Sequence, residues 1–154
     1  MDELARQLRD YLTANAAVIS RNHVHGARSS AIQTLLSDIL SELGFAEEVI
    51  LTAQDGLVTR ARPDFVFGLG PGRGVLAEVE RGGTVTNNHD LKDLWKAHIA
   101  LDAQHLFLVV PIANVRADGS PREKPFVRVI NRIGAFFGDA RREVDVVSAH
   151  IFGY

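Results

Sequence analysis

Arg62-Pro-Asp-Phe-Val-Phe-Gly68 and Gly74-Val-Leu-Ala-Glu-Val-Glu80 decide the reading of this chain. The first is rich in aromatic and β-branched residues and the second alternates near its end, so both are expected to be β-strands. Gly68-Leu-Gly-Pro-Gly-Arg-Gly74 between them is a turn by composition. A hairpin centred on Pro71 sets Asp64 opposite Glu78, with their Cβ atoms about 4.5–5.5 Å apart. Glu80 lies two residues beyond Glu78 and points to the same sheet face. Three carboxylates on one face repel one another unless protons or cations neutralise them. Oxygen-only ligands suit magnesium or manganese. A plainer reading stands beside this one: the face is simply wet, and Arg62, opposite Glu80 in the same register, forms an ordinary cross-strand ion pair.

Working outward, residues 2–19 carry Leu4, Leu8, Tyr11, Leu12 and Ile19 near helical spacing, and Ser20 to Arg28 is a break. Residues 29–43 form the clearest helix, with a stripe of Ile32, Leu35, Leu36, Ile39, Leu40 and Leu43. Ser29 or Ser30 can cap it and Gly44 stops it. Val49–Ala53 is expected to be a short strand. After Glu80, Asn87 or Asn88 caps a further helix with Asp90 in its first turn, and Leu91, Leu94, Trp95, His98 and Ile99 are its expected buried face. His98 is then a hydrogen-bonded core residue, and Trp95, at a core position, is not a base-stacking platform. His105-Leu-Phe-Leu-Val-Val110 is nearly continuous in apolar residues, the pattern of a buried parallel strand. Residues 112–125 read as a polar loop, Phe126–Ile130 as a strand, 131–138 as a short helix and Val144–Phe152 as a last strand.

The 154 residues are expected to make one domain, and no stretch approaches the length of a membrane span. Met1-Asp-Glu-Leu-Ala-Arg6 lacks the basic start and apolar run of a signal peptide, so a cytoplasmic location is expected. The absence of Cys excludes disulfides and thiolate zinc sites. A net charge of −2 means that the surface as a whole does not attract nucleic acid, although residues 112–154 lean basic. The glycine run at 68–74 is no phosphate loop, because a strand follows it and the Gly-Lys-Ser/Thr ending is missing. His23 and His25 read as an incidental loop pair, with metal or DNA contact as the alternative.

The order helix, strand, strand, strand, helix, strand, with Pro63-Asp64 opening the second strand and Glu78-Val-Glu80 on the third, resembles the core of the PD-(D/E)xK nuclease superfamily. The resemblance covers residues 28–111 and leaves 112–154 as a C-terminal extension. Arg28-Ser-Ser-Ala-Ile-Gln-Thr-Leu-Leu36, running on to Leu43-Gly-Phe45, is similar to the family's first helix. The implied fold is a restriction-endonuclease-like α/β domain, a mixed sheet of αβββαβ order flanked by helices. The implied activity is magnesium- or manganese-dependent hydrolysis of DNA phosphodiester bonds. Asp64, Glu78 and the backbone carbonyl of Val79 would be the metal ligands. Glu80 stands where the family usually has Lys, and Gln33 stands in place of its first-helix Glu.

Such chemistry needs an activated water and stabilised charge on the phosphoryl oxygens. Glu80 could accept the water's proton or bind a second ion. Lys92 and Lys96, one turn apart on the helix after the motif, could supply the missing cation or contact DNA with Arg28. Singly, each also reads as a solvated Lys on a polar helix face. The expectation is an endodeoxyribonuclease, possible as a homodimer with one site per strand. The alternative is a catalytically degenerate module of the same fold that binds DNA or a protein partner.

Overall fold

The computed structural model describes residues 1–47, 62–138 and 143–154. The strand expected at Val49–Ala53 lies outside them. Helices α1 (Asp2–Ala14), α2 (Ala16–Asn22) and α3 (Ser29–Glu42) precede strands β1 (Ala46–Glu47), β2 (Phe65–Gly70) and β3 (Arg73–Val79). Then come α4 (His89–Ile99), β4 (His105–Val110), the short strands β5 (Asn114–Val115) and β6 (Pro121–Glu123), α5 (Pro125–Phe137) and β7 (Ser148–Gly153). The result is a mixed α/β fold with a five-stranded sheet in the order β1-β2-β3-β4-β7.

β1, β2 and β3 are antiparallel neighbours, whereas β4 runs parallel to both β3 and β7. β2 pairs with β3 through Phe65 and Ala77, Val66 and Leu76, and Phe67 and Val75, the register of a hairpin centred on Pro71. Gly70 and Gly72 turn the chain at φ of 133° and 63°, values that side chains resist. β4 is apolar on both faces because both are covered, as its unbroken sequence implied.

Alternation along β3 feeds two cores. Val75, Ala77 and Val79 pack with Phe65, Phe107, Val109 and Phe152 under α1–α3. Leu76 packs with Leu94, Ala97, Leu106, Leu108, Val129 and Ile133 under α4 and α5. Glu78 continues the row of Leu76 and is only 3% exposed, a carboxylate in line with an apolar core. The stop of α3 is as expected: Gly44 has a positive φ, and the Gly44 and Phe45 N–H groups donate to the Ser41 and Leu40 carbonyls.

Three expectations are corrected. The first helix breaks at Asn15, and α2 then runs on to Asn22. Phe126–Ile130 is not a strand: it belongs to α5, which opens with Pro125 and buries Val129 and Ile133 one turn apart. A proline at the first helical position and the helical spacing of the apolar residues outweigh the β-branched side chains. α4 is also rotated from its expected face. It buries Asp90, Asp93, Leu94 and Ala97, leaving Trp95 45% exposed and His98 exposed, where its Nδ1 accepts the Asp145 N–H.

Candidate active site

Asp64 and Glu78 face each other at the open end of the β2–β3 hairpin. Asp64 lies immediately before β2, where its Oδ2 accepts the Val79 N–H at 3.0 Å. Its own N–H approaches Glu78 Oε2 at 3.4 Å. The juxtaposition inferred from the turn is therefore present. Glu80 follows β3, with its N–H bonded to the Val109 carbonyl, and its Oε2 meets His89 Nδ1 at 2.8 Å. The Tyr154 hydroxyl donates to the Glu80 carbonyl at 2.8 Å and so fixes the backbone of the motif.

The cation comes from α4. Lys96 Nζ lies 2.7 Å from Glu78 Oε1 and 3.0 Å from Asp93 Oδ1. Lys96 is thus no free solvated lysine; the rotation of α4 brings it inward together with Asp93. Lys92 is exposed on the same helix, and Arg28 is exposed at the residue before α3. Gln33, half-buried on α3, shares with Asp64, Phe65 and Glu47 a cavity of about 210 Å³.

Asp93 carried no signal in a reading that assumed apolar residues face inward. The detectable hint was its spacing from Lys96, which places the two on one side of a helix. Asp90 is its counterpart one turn earlier, also buried, with Arg132 Nε of α5 at 3.4 Å.

The electrostatics follow from burial. Burial pushes the Glu78 carboxyl up to about 9, the negative charges of Asp93 and Asp64 add to this, and Lys96 opposes it. Burial likewise lifts Asp93 to about 7 against the pull of Lys96, with Glu80 and Asp64 adding repulsion. Burial also works against the charge of Lys96, but the carboxylates of Asp93 and Glu78 outweigh it and raise its pKa. One ammonium between two buried carboxylates leaves a negative charge in excess, and a shared proton relieves it.

That deficit of positive charge, with a buried Asp93 Oδ2 that has no hydrogen-bond partner, suits a hard cation in donor chemistry. Asp64, Glu78 and the Val79 carbonyl offer oxygen ligands only. In the present arrangement, however, no three His, Asp or Glu side chains among the described residues are grouped to hold a metal ion, and the Lys96 ammonium already stands against Glu78. No helix among the described residues is long and apolar enough to cross a membrane. No protein-family model and no curated protein matches the sequence.

Proposed function

We propose that the chain is a divalent-metal-dependent phosphodiester hydrolase acting on DNA, built on a restriction-endonuclease-like core. The observation that carries this reading is the contact of Lys96 Nζ with Glu78 Oε1 at 2.7 Å, beside Asp64. It gives two acids and a lysine in one cluster, with the lysine supplied by α4 rather than by the strand position that Glu80 occupies. The antiparallel run of β1–β3, followed by α4 and a parallel β4, is in keeping with the αβββαβ core.

Asp64, Glu78 and the carbonyl of Val79 would hold magnesium or manganese. Bound there, the ion would polarise the phosphoryl group and lower the pKa of water. Lys96 donates hydrogen bonds toward the same point, which suits orienting a water or a phosphoryl oxygen. Glu80, tied to His89, is placed as a proton acceptor, and His89 offers that proton an onward partner.

A plasmid or duplex oligonucleotide incubated with the protein and magnesium tests the reading. The wild type should cleave. Asp64→Ala should lose at least about a hundredfold in rate, within the usual range for an electrostatic or general-base group. A variant that cleaves like the wild type would remove Asp64 from the site.

The second reading is a degenerate, non-catalytic module. It is favoured by the satisfaction of Glu78 within the chain by Lys96. Thermal unfolding with manganese separates the two, because an ion bound only by the native state raises Tm.

A further inference from the structure

A recess of about 430 Å³ opens where the chain leaves β3, from the residue after Glu80 onward. Its walls come from three separate segments: residues 23–26 between α2 and α3, residues 81–87 between β3 and α4, and the β5–β6 ribbon. Specific bonds hold the walls together. His23 Nε2 donates to the Ala113 carbonyl at 3.0 Å, and His25 Nδ1 meets the Val115 carbonyl at 3.3 Å. On the ribbon, Asn114 Nδ2 donates to Glu123 Oε1 at 2.8 Å.

The charged side chains of the lining are two guanidiniums and one carboxylate. Arg81 uses one terminal nitrogen to bond the Val24 carbonyl at 2.6 Å, yet its Nε is buried with no hydrogen-bond partner. His23 adds no donor to the recess, because its Nε2–H is spent on the Ala113 carbonyl and its Nδ1 is left as a lone pair. Arg122 brings a second guanidinium from the ribbon. Glu123, the one carboxylate in the lining, is already engaged by Asn114 and approached by the Thr86 hydroxyl at 3.5 Å. Gly26 and Gly82 leave backbone open to the recess, since a Cβ at either would meet nothing within 4 Å. Two guanidiniums on different walls suit an anion whose oxygens point in several directions, as those of phosphate do and those of a planar carboxylate do not. The volume also leaves room for the sugar that a phosphate carries.

We propose that this recess binds a phosphate group, the terminal phosphate of a nucleic-acid strand, with Arg81 and Arg122 as its charged donors. Glu80 and Arg81 are consecutive, and their side chains leave β3 toward different partners, His89 on α4 and Val24 before α3. The recess and the acid cluster thus share the backbone that follows β3. The choice of a strand end rests on the nuclease reading; the choice of a phosphate does not.

Calorimetric titration of the whole chain without metal tests this with inorganic phosphate, a nucleoside 5′-monophosphate, and one short oligonucleotide with and without a 5′-phosphate. The phosphorylated oligonucleotide should bind at least tenfold more tightly than its unphosphorylated form, and the monophosphate should compete with it. Arg122→Ala, at an exposed residue, should weaken binding about tenfold, as should Arg81→Ala if it folds. Equal affinity for the two oligonucleotides, or full affinity in Arg122→Ala, would overturn the proposal. Binding of inorganic phosphate with no gain from the oligonucleotide would overturn the strand-end assignment. A wild type that binds the phosphorylated strand and still cleaves nothing once magnesium or manganese is added would sink the nuclease reading while supporting this one.

Discussion

The acid cluster and the neighbouring recess begin one residue apart, at Glu80 and Arg81, and handle charge in opposite ways. The cluster sets Glu78 and Asp93, only 3% and 2% exposed, against the Lys96 ammonium, with Asp64 beside Glu78 and Glu80 on His89. The recess sets Arg81 and Arg122 around one carboxylate and stays open to water. Buried like charge is costly, so the cluster is held by the fold around it: the Val79 and Asp64 amides, Lys96, and the Tyr154 tether. Arg122 is exposed and costs little, so the recess is held by loops and the short β5–β6 ribbon. The difference teaches that the cluster should respond to substitution and to pH through stability, whereas Arg122 of the recess should respond through binding alone.

The sharpest way to break that contrast is Lys96→Met. It leaves Glu78 and Asp93 buried with no cation, and removing one partner of a buried pair costs about 3 kcal/mol or more. Urea unfolding at pH 8 should show that loss, and a smaller one at pH 5, where the carboxyls take up protons. A loss of less than about 0.5 kcal/mol at pH 8 would put Lys96 among ordinary surface pairs.

Glu78→Gln should act in the other direction. Its folded pKa is raised, so the native state keeps a proton that the unfolded chain sheds above about 4.5. Stability from this group is therefore greatest at low pH and declines as pH rises toward about 9. With chelator present, Glu78→Gln should flatten that decline and gain about 1 kcal/mol or more at pH 8 relative to wild type. Parallel pH profiles of Tm would contradict it. Arg122→Ala, from the recess, should leave the profile unchanged.

The smallest stability effect is expected for Glu80→Ala. Glu80 is less deeply buried and pairs with a partly exposed His89, so stability should change by about 1 kcal/mol or less. Cleavage should nevertheless slow with DNA affinity nearly unchanged, because a proton acceptor acts on the chemical step. Unaltered turnover would make the Glu80–His89 pair purely structural.

The hairpin was legible because a single turn fixes its register: once Pro71 is the centre, the pairing of Asp64 with Glu78 is arithmetic. β4 was legible because its sequence has no polar face to hide. α4 was misread by about one position. Its inward face holds Asp90 and Asp93, which Arg132 and Lys96 offset, and Arg132 comes from α5, far along the chain. Likewise the recess joins residues 23–26, 81–87 and 114–123, segments whose meeting depends on tertiary packing alone. In α5, local β-propensity in Phe126–Ile130 yielded to the apolar stripe that α5 lays on the sheet.

The parallel pairing of β3 with β4 also sets an order of assembly. Asp64 and Glu78 meet through the β2–β3 turn, whereas Lys96 reaches Glu78 from α4, on the crossover that leads to β4, so its contact is expected to complete with that crossover. Local loops close first, and crossovers pay more chain entropy before contacts reward them. The acids thus stay wet in the early folding chain and become buried only when their counter-charge arrives. Lys96→Met is therefore expected to speed unfolding more than it slows folding, which stopped-flow kinetics in urea would show.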